Sequence, residues 1–79
     1  MNEIFEYIRG QREAEEWIAS LKGDKIRIRV QIENKLEEIH KKLDECIRIG
    51  KQYSYLEGWF DTLRHFVLNP SEIGELRGD

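Results

Sequence analysis

The side chains best suited to chemistry in this sequence are two histidines and one cysteine. His40 and His65 could act as general bases, and Cys46 could act as a nucleophile or a metal ligand. His40 stands beside Lys41 and Lys42, and no acid or nucleophile is spaced to work with it. Two distant histidines and one cysteine also do not match the spacing of a zinc site. We therefore expect no catalytic residue, no metal and no cofactor, and we predict that the protein is not an enzyme.

Polar and apolar side chains alternate strictly from Lys25 to Ile32. A strand would place Arg27, Arg29 and Gln31 together on one face. Arginine and glutamine make paired hydrogen bonds to the edges of guanine and adenine. In a strand, these three residues would therefore be candidate nucleic-acid contacts.

If the same segment forms a helix, its apolar side chains lie on two opposite sides instead of on one face. At about 100° per residue, Ile26 and Val30 lie on one side, and Ile28 and Ile32 lie nearly opposite. A helix with two apolar sides must be covered by neighbours on both. We predict a helix, because a lone strand would have no partner unless a second copy supplied one.

Residues that end helices divide the chain. Gly23 and Asp24 indicate a stop followed by an N-cap, Gly50 indicates a second stop, and Asn69-Pro70 indicates a third. They predict one all-α domain over residues 1–79, a three-helix antiparallel bundle whose middle helix is the longest. Its helices span about 3–22, 25–49 and 54–68, with a polar tail over 70–79.

Three local patterns refine these helices. Gly10 interrupts the apolar stripe of the first helix, so residues 2–9 could form a separate turn or a short strand. Ser54 and Glu57 have the spacing of a capping box at the start of the third helix. The middle helix carries a heptad seam of Ile32, Leu36, Ile39, Leu43 and Cys46. No internal repeat is visible.

Composition limits the function classes. The 79 residues are 37% charged and 39% hydrophobic with a net charge of −3, which indicates a folded domain and disfavours non-specific nucleic-acid binding. So small a core favours support from a partner or a second copy. The single Cys46 allows no internal disulfide and indicates a reducing, cytoplasmic compartment. The absence of a long apolar run or a secretory signal predicts no membrane association.

These observations predict a small helical protein that binds a protein partner and forms a homo-oligomer. Small, acid-rich helical proteins without cofactors are frequent among phage and mobile-element products in bacteria. A regulator or inhibitor of a host protein is therefore the expected role. Tyrosine and tryptophan contribute strongly to interface energy because they are large, stiff and half polar. The candidate partner-binding residues are Trp17, Ile26, Val30, Tyr53 and Tyr55.

Residues 25–68 resemble the ribbon–helix–helix transcription regulators if the segment 25–32 is a strand, since a helix, Gly50 and a capped helix follow it. The resemblance implies that two chains pair their strands into a ribbon that enters the major groove of DNA. Arg27, Arg29 and Gln31 would then read bases. The chain departs from this family in its longer helix after the ribbon and in a complete acidic helix before it.

The stretch from Ala14 to Leu21, followed by Arg27, Arg29 and the next helix, is similar to the helical hairpin that opens RelE/HigB-type toxins. The ending after Asn69 is similar to their link into a sheet. Those toxins cleave messenger RNA on the ribosome with basic and aromatic groups carried by C-terminal strands. The chain ends where these strands would begin, so this resemblance implies a degenerate relative without ribonuclease activity.

Overall fold

The computed structural model describes residues 2–78, which form four helices and no strand. The helices are α1 (Glu3–Ser20), α2 (Lys25–Ile49), α3 (Ser54–Leu68) and α4 (Ser71–Arg77). The predicted all-α class is confirmed, but the predicted count of three helices is wrong by one. Residues 25–32 belong to α2, so the alternative of a strand in this segment is also wrong.

Helix ends follow local chemistry at two of the predicted boundaries. The side chain of Asp24 accepts a hydrogen bond of 2.8 Å from the backbone N–H of Arg27 and caps α2. Gly50 ends α2 with a left-handed backbone, which glycine adopts without steric cost. The capping box predicted at Ser54 is wrong, because Tyr53 occupies the cap position and makes no side-chain cap bond. Ser54 already lies inside the first helical turn.

Two glycines bring α1 and α3 together backbone to backbone. A Cβ added at Gly58 would lie 2.8 Å from the backbone nitrogen of Gln11, and one added at Gly10 would lie 3.2 Å from that of Trp59. Only glycine permits so close an approach between helices. Gly10 is buried inside a continuous α1, so the prediction of a separate turn or strand over residues 2–9 is wrong.

The contact between α1 and α3 has near two-fold symmetry. In each helix, a tyrosine lies three residues before the glycine and an acidic residue lies three residues after it. Each tyrosine donates a hydrogen bond to the acidic residue of the other helix. Tyr7 donates to Asp61 at 2.5 Å, and Tyr55 donates to Glu13. A repeated Tyr-x-x-Gly-x-x-acid pattern therefore occurs in α1 and α3, although the sequence was expected to contain no repeat.

The helices form a bundle in which α2 runs opposite to α1 and α3. Along α2, the ring of His40 lies near that of Phe60 early in α3, whereas Ile28 approaches Ile73 beyond the end of α3. The Lys35 ammonium lies over the rings of two tryptophans, one from α1 and one from α3. The buried hydrophobic cluster consists of Ala14, Ile18, Leu21, Ile28, Ile32, Ile39, Trp59, Leu63, Phe66 and Ile73.

The predicted polar tail is instead the short helix α4. Ile73 is buried in the core and Leu76 packs against it. The Nε2 of His65 lies 2.9 Å from a Glu72 carboxylate oxygen, and Arg77 donates a 2.9 Å hydrogen bond to the carbonyl of Leu21. Position 79 of the predicted tail lies outside the described residues. Within residues 2–78, no helix combines the length and apolarity needed to cross a membrane.

Candidate partner-binding groove

The five residues predicted to bind a partner do not form one surface. Ile26 and Val30 lie one turn apart on α2 and are 76% and 47% exposed. Tyr53 is also exposed, but it lies beyond the other end of α2. Trp17 and Tyr55 are half-buried and already packed or hydrogen-bonded within the bundle. The structure therefore pairs Ile26 with Val30 and separates them from the other three.

The start of α2 has one covered apolar side and one bare apolar side. Ile28 and Ile32 are buried in the core, as a helix in this segment requires. Ile26 and Val30 project from the opposite side, and both stay exposed. The sequence analysis predicted that neighbouring elements would pack against both apolar sides of this helix. In the structure, the side formed by Ile26 and Val30 remains exposed to solvent.

A groove of about 580 Å³ runs beside Ile26, between the start of α2 and α4. The buried side chains of Ile28 and Ile73 contribute to its lining. Gly74 leaves space in the wall formed by α4, since a Cβ added there would meet no atom within 4 Å. The volume falls within the range of roughly 300–1,000 Å³ that is usual for ligand pockets. The lining residues are Lys25, Ile26, Ile28, Arg29, Pro70, Ser71, Ile73, Gly74 and Arg77.

The charged residues that line this groove are all positive. Lys25, Arg29 and Arg77 contribute to the lining, and none of the lining residues is acidic. Within residues 2–78, Lys25 and Arg29 form no ion pair, whereas Arg9 and Lys35 each contact a carboxylate. The groove therefore combines an apolar floor with two cations, Lys25 and Arg29, that could pair with an anionic group.

The position of these cations opposes the electrostatics of α2. A helix N-terminus carries a partial positive charge and is stabilised by acidic residues in the first turn. The first turn of α2 has none, while Lys25, Arg27 and Arg29 follow directly after the Asp24 cap. Residues that break a local stabilising rule are expected at functional sites. The start of α2 therefore carries a charge arrangement that is unfavourable for the helix itself.

The three residues predicted to read bases are distributed around α2. On a helix, Arg27 and Arg29 point to opposite sides. The side-chain amide of Gln31 lies 3.4 Å from the carbonyl oxygen of Lys22 and 3.3 Å from that of Arg27, and donates to both. The single face that a DNA-reading ribbon requires is not formed in this structure.

The histidines and the cysteine lie away from the groove. The Nε2 of His40 is 3.7 Å from an Asp44 carboxylate oxygen on the exposed side of α2, so the expectation that no acid is spaced near this histidine is wrong. His65 pairs with Glu72. Cys46 is half-buried near the end of α2. Within residues 2–78, no three histidine, cysteine, aspartate or glutamate side chains are grouped to hold a metal ion.

Sequence reasoning found the α2 side of the groove but missed the α4 side. The two-sided apolar pattern identified Ile26 and Val30, whereas Ile73, Gly74 and Arg77 fell in a predicted tail. The spacing of Ile73 and Leu76 between Pro70 and Gly78 is the signal that could have revealed α4, since proline favours helix starts and glycine favours helix ends.

The comparisons with known proteins do not test either family resemblance. The structure has two consecutive helices over Glu3–Ser20 and Lys25–Ile49, as the toxin resemblance implies, followed by a helix over Ser54–Leu68. No protein-family model, curated protein or solved structure matches the chain. The toxin resemblance therefore stays a prediction, and the strand over residues 25–32 on which the ribbon–helix–helix resemblance depends is a helix in this structure.

Proposed function

We propose that this chain is a non-enzymatic helical protein that binds another protein through the start of α2 and the groove beside it. One observation carries the proposal. Ile26 and Val30 form an apolar side that stays 76% and 47% exposed, and it lies directly beside a groove lined by positive charge. Complete burial of an aliphatic side chain is worth roughly 1.5–3 kcal/mol, so covering this pair would contribute substantially to binding.

The arrangement resembles the usual anatomy of a protein interface. The fully buried centre of an interface is apolar, and charges at the rim steer the approach of the partner. Ile26 and Val30 would take the first role, and Lys25 and Arg29 the second. A protein of this kind acts by occupying its partner's surface, which accords with a regulator or inhibitor.

Self-association through α1 is a second part of the proposal. Ile4, Phe5 and Ile8 are 70%, 65% and 45% exposed. Their spacing places them together on α1, on the side that faces away from the Gly10 contact with α3. A second copy would cover this surface and supplement the small core of the chain.

Site-specific photo-crosslinking in the cells that produce the protein tests partner binding. A photoreactive residue is placed at Ile26 or, as a control, at Lys42 on the charged face of α2. We expect a discrete cross-link to another protein from position 26, none from position 42, and loss of the product when Gly74→Leu fills the groove. Equal products from both positions, or none from position 26, would overturn the proposal.

A further inference from the structure

We infer that the groove between α2 and α4 takes an acidic peptide segment that inserts one large apolar side chain. This inference rests on the proposed function, because it names the chemistry of the partner at the same site. It combines two properties of the lining, its charge and its apolar floor.

Charge complementarity selects an acidic segment. Lys25, Arg29 and Arg77 contribute to the lining without any acidic residue, and Arg27 adds to the charge nearby. The partial charge of the α2 N-terminus has the same sign. An acidic segment would be drawn to this end of the molecule, whereas a basic segment would be repelled.

The floor of the groove selects an apolar anchor. Ile28, Ile73 and Pro70 line it with aliphatic surface, and Gly74 leaves space above that surface. A carboxylate alone would leave this surface uncovered. An aliphatic or aromatic side chain from the partner would fill it, with neighbouring carboxylates placed toward the cations of the rim.

The lining also distinguishes a peptide from a nucleic acid. Proteins that hold single-stranded nucleic acids stack bases on aromatic rings, and none of the residues lining this groove is aromatic. The chain as a whole carries a net charge of −3, which opposes a long polyanion. A short acidic peptide meets the positive groove without extending over the acidic remainder.

A display library of random short peptides, selected against the full chain, tests the inference. Peptides that bind the wild-type chain but not the Gly74→Leu variant are taken as groove-dependent, and circular dichroism checks that the variant is folded. We expect these peptides to be rich in aspartate and glutamate around a leucine, phenylalanine or tryptophan. Arg29→Glu should weaken their binding about tenfold, and added salt should weaken it further.

The outcomes separate this inference from the proposed function. Groove-dependent peptides that are neutral or basic would overturn the acidic assignment and leave protein binding at the groove intact. A library that yields no groove-dependent peptide would overturn both. Labelled single-stranded and duplex oligonucleotides are tested in parallel, and binding that Gly74→Leu abolishes would replace the peptide with a nucleic acid.

Discussion

At the residue scale, Gly10 and Gly58 set the distance between α1 and α3. Ala14 and Thr62, each four residues after one of these glycines, are buried and extend the small-residue strip along both helices. Small residues at this spacing let helix backbones approach closely. A glycine inside a helix costs about 1 kcal/mol relative to alanine, and the close packing of α1 on α3 offsets part of that cost.

Gly58→Ala should destabilise the fold by about 2 kcal/mol, because the added methyl group would collide with the α1 backbone, which has no freedom to rotate away. Gly74→Ala is the matched control, since its Cβ would meet no atom within 4 Å. The control should be neutral or slightly more stable. Urea unfolding followed by circular dichroism measures both, and equal stabilities would contradict the backbone contact.

The Tyr7–Asp61 hydrogen bond should make stability depend on alkaline pH. The bond, aided by burial of the phenol, raises the pKa of Tyr7 from 10.0 to about 12. Between these values the unfolded chain loses the proton that the folded chain keeps, so stability should fall as pH rises through this window. Tyr7→Phe should cost about 1 kcal/mol at neutral pH and remove part of this decline. Urea unfolding at a series of pH values tests this, and identical slopes for the two proteins would contradict it.

At the element scale, α2 contributes both to the hydrophobic core and to the candidate binding groove. Its Ile28 and Ile32 side is held by the core, while its Ile26 and Val30 side is bare. The cationic side chains in its first turns are repelled by the partial positive charge of the helix N-terminus, which lowers the stability of the helix. Stability and binding should therefore conflict at the start of this helix.

The pair Lys25→Glu and Arg27→Glu separates these effects. Both place a carboxylate in the first turn of α2 and should stabilise the helix by roughly 0.3–1 kcal/mol. Only Lys25 lines the groove, so only Lys25→Glu should strongly weaken groove-dependent peptide binding. Thermal unfolding and fluorescence anisotropy measure the two quantities. Equal loss of binding in both variants would place the contact outside the groove.

Local chemistry explains which elements could be predicted from sequence. The bounds of α2 depend on the Asp24 cap and on the left-handed backbone of Gly50, and both act within a few residues. The bounds of α3 depend in part on Pro70, which follows its end. The exposed half of the site was also predictable, because the spacing of Ile26 and Val30 gives the helix a second apolar side opposite the one that faces the core.

Contacts between distant residues explain what could not be predicted. Gly10 has the local signature of a break, and only its contact with α3 shows why a helix continues through it. The short helix α4 is held by the burial of Ile73 and by the Arg77 bond to Leu21, which its own seven residues do not reveal. Its half of the groove was missed because these contacts join distant residues, although the spacing of Ile73 and Leu76 between Pro70 and Gly78 was a local signal for the helix itself.

At the scale of the whole molecule, the two exposed surfaces lie at opposite ends of the bundle. Ile4, Phe5 and Ile8 belong to the start of α1, whereas Ile26 and the groove belong to the start of α2, which runs the other way. A second copy bound at α1 would leave the groove open. A dimer could therefore engage two segments of one partner, which would raise its apparent affinity without new contacts.

Phe5→Lys should shift the chain toward monomer, because it places a charge in the centre of the proposed self-association surface. Ile26→Lys is the matched control at the other end and should leave the oligomeric state unchanged. Light scattering coupled to size-exclusion chromatography over a range of concentrations measures the mass. A wild-type chain that is monomeric throughout would contradict self-association and leave the groove proposal standing.

The central claim is that a partner segment occupies the groove between α2 and α4. Its most direct test is amide chemical-shift mapping of the isotope-labelled chain, titrated with a groove-selected peptide. We expect shifts concentrated at residues 25–30 and 71–77, with little change at 37–46. Shifts concentrated at 4–12 or 37–46 instead would place the partner on another surface and overturn the proposed binding site.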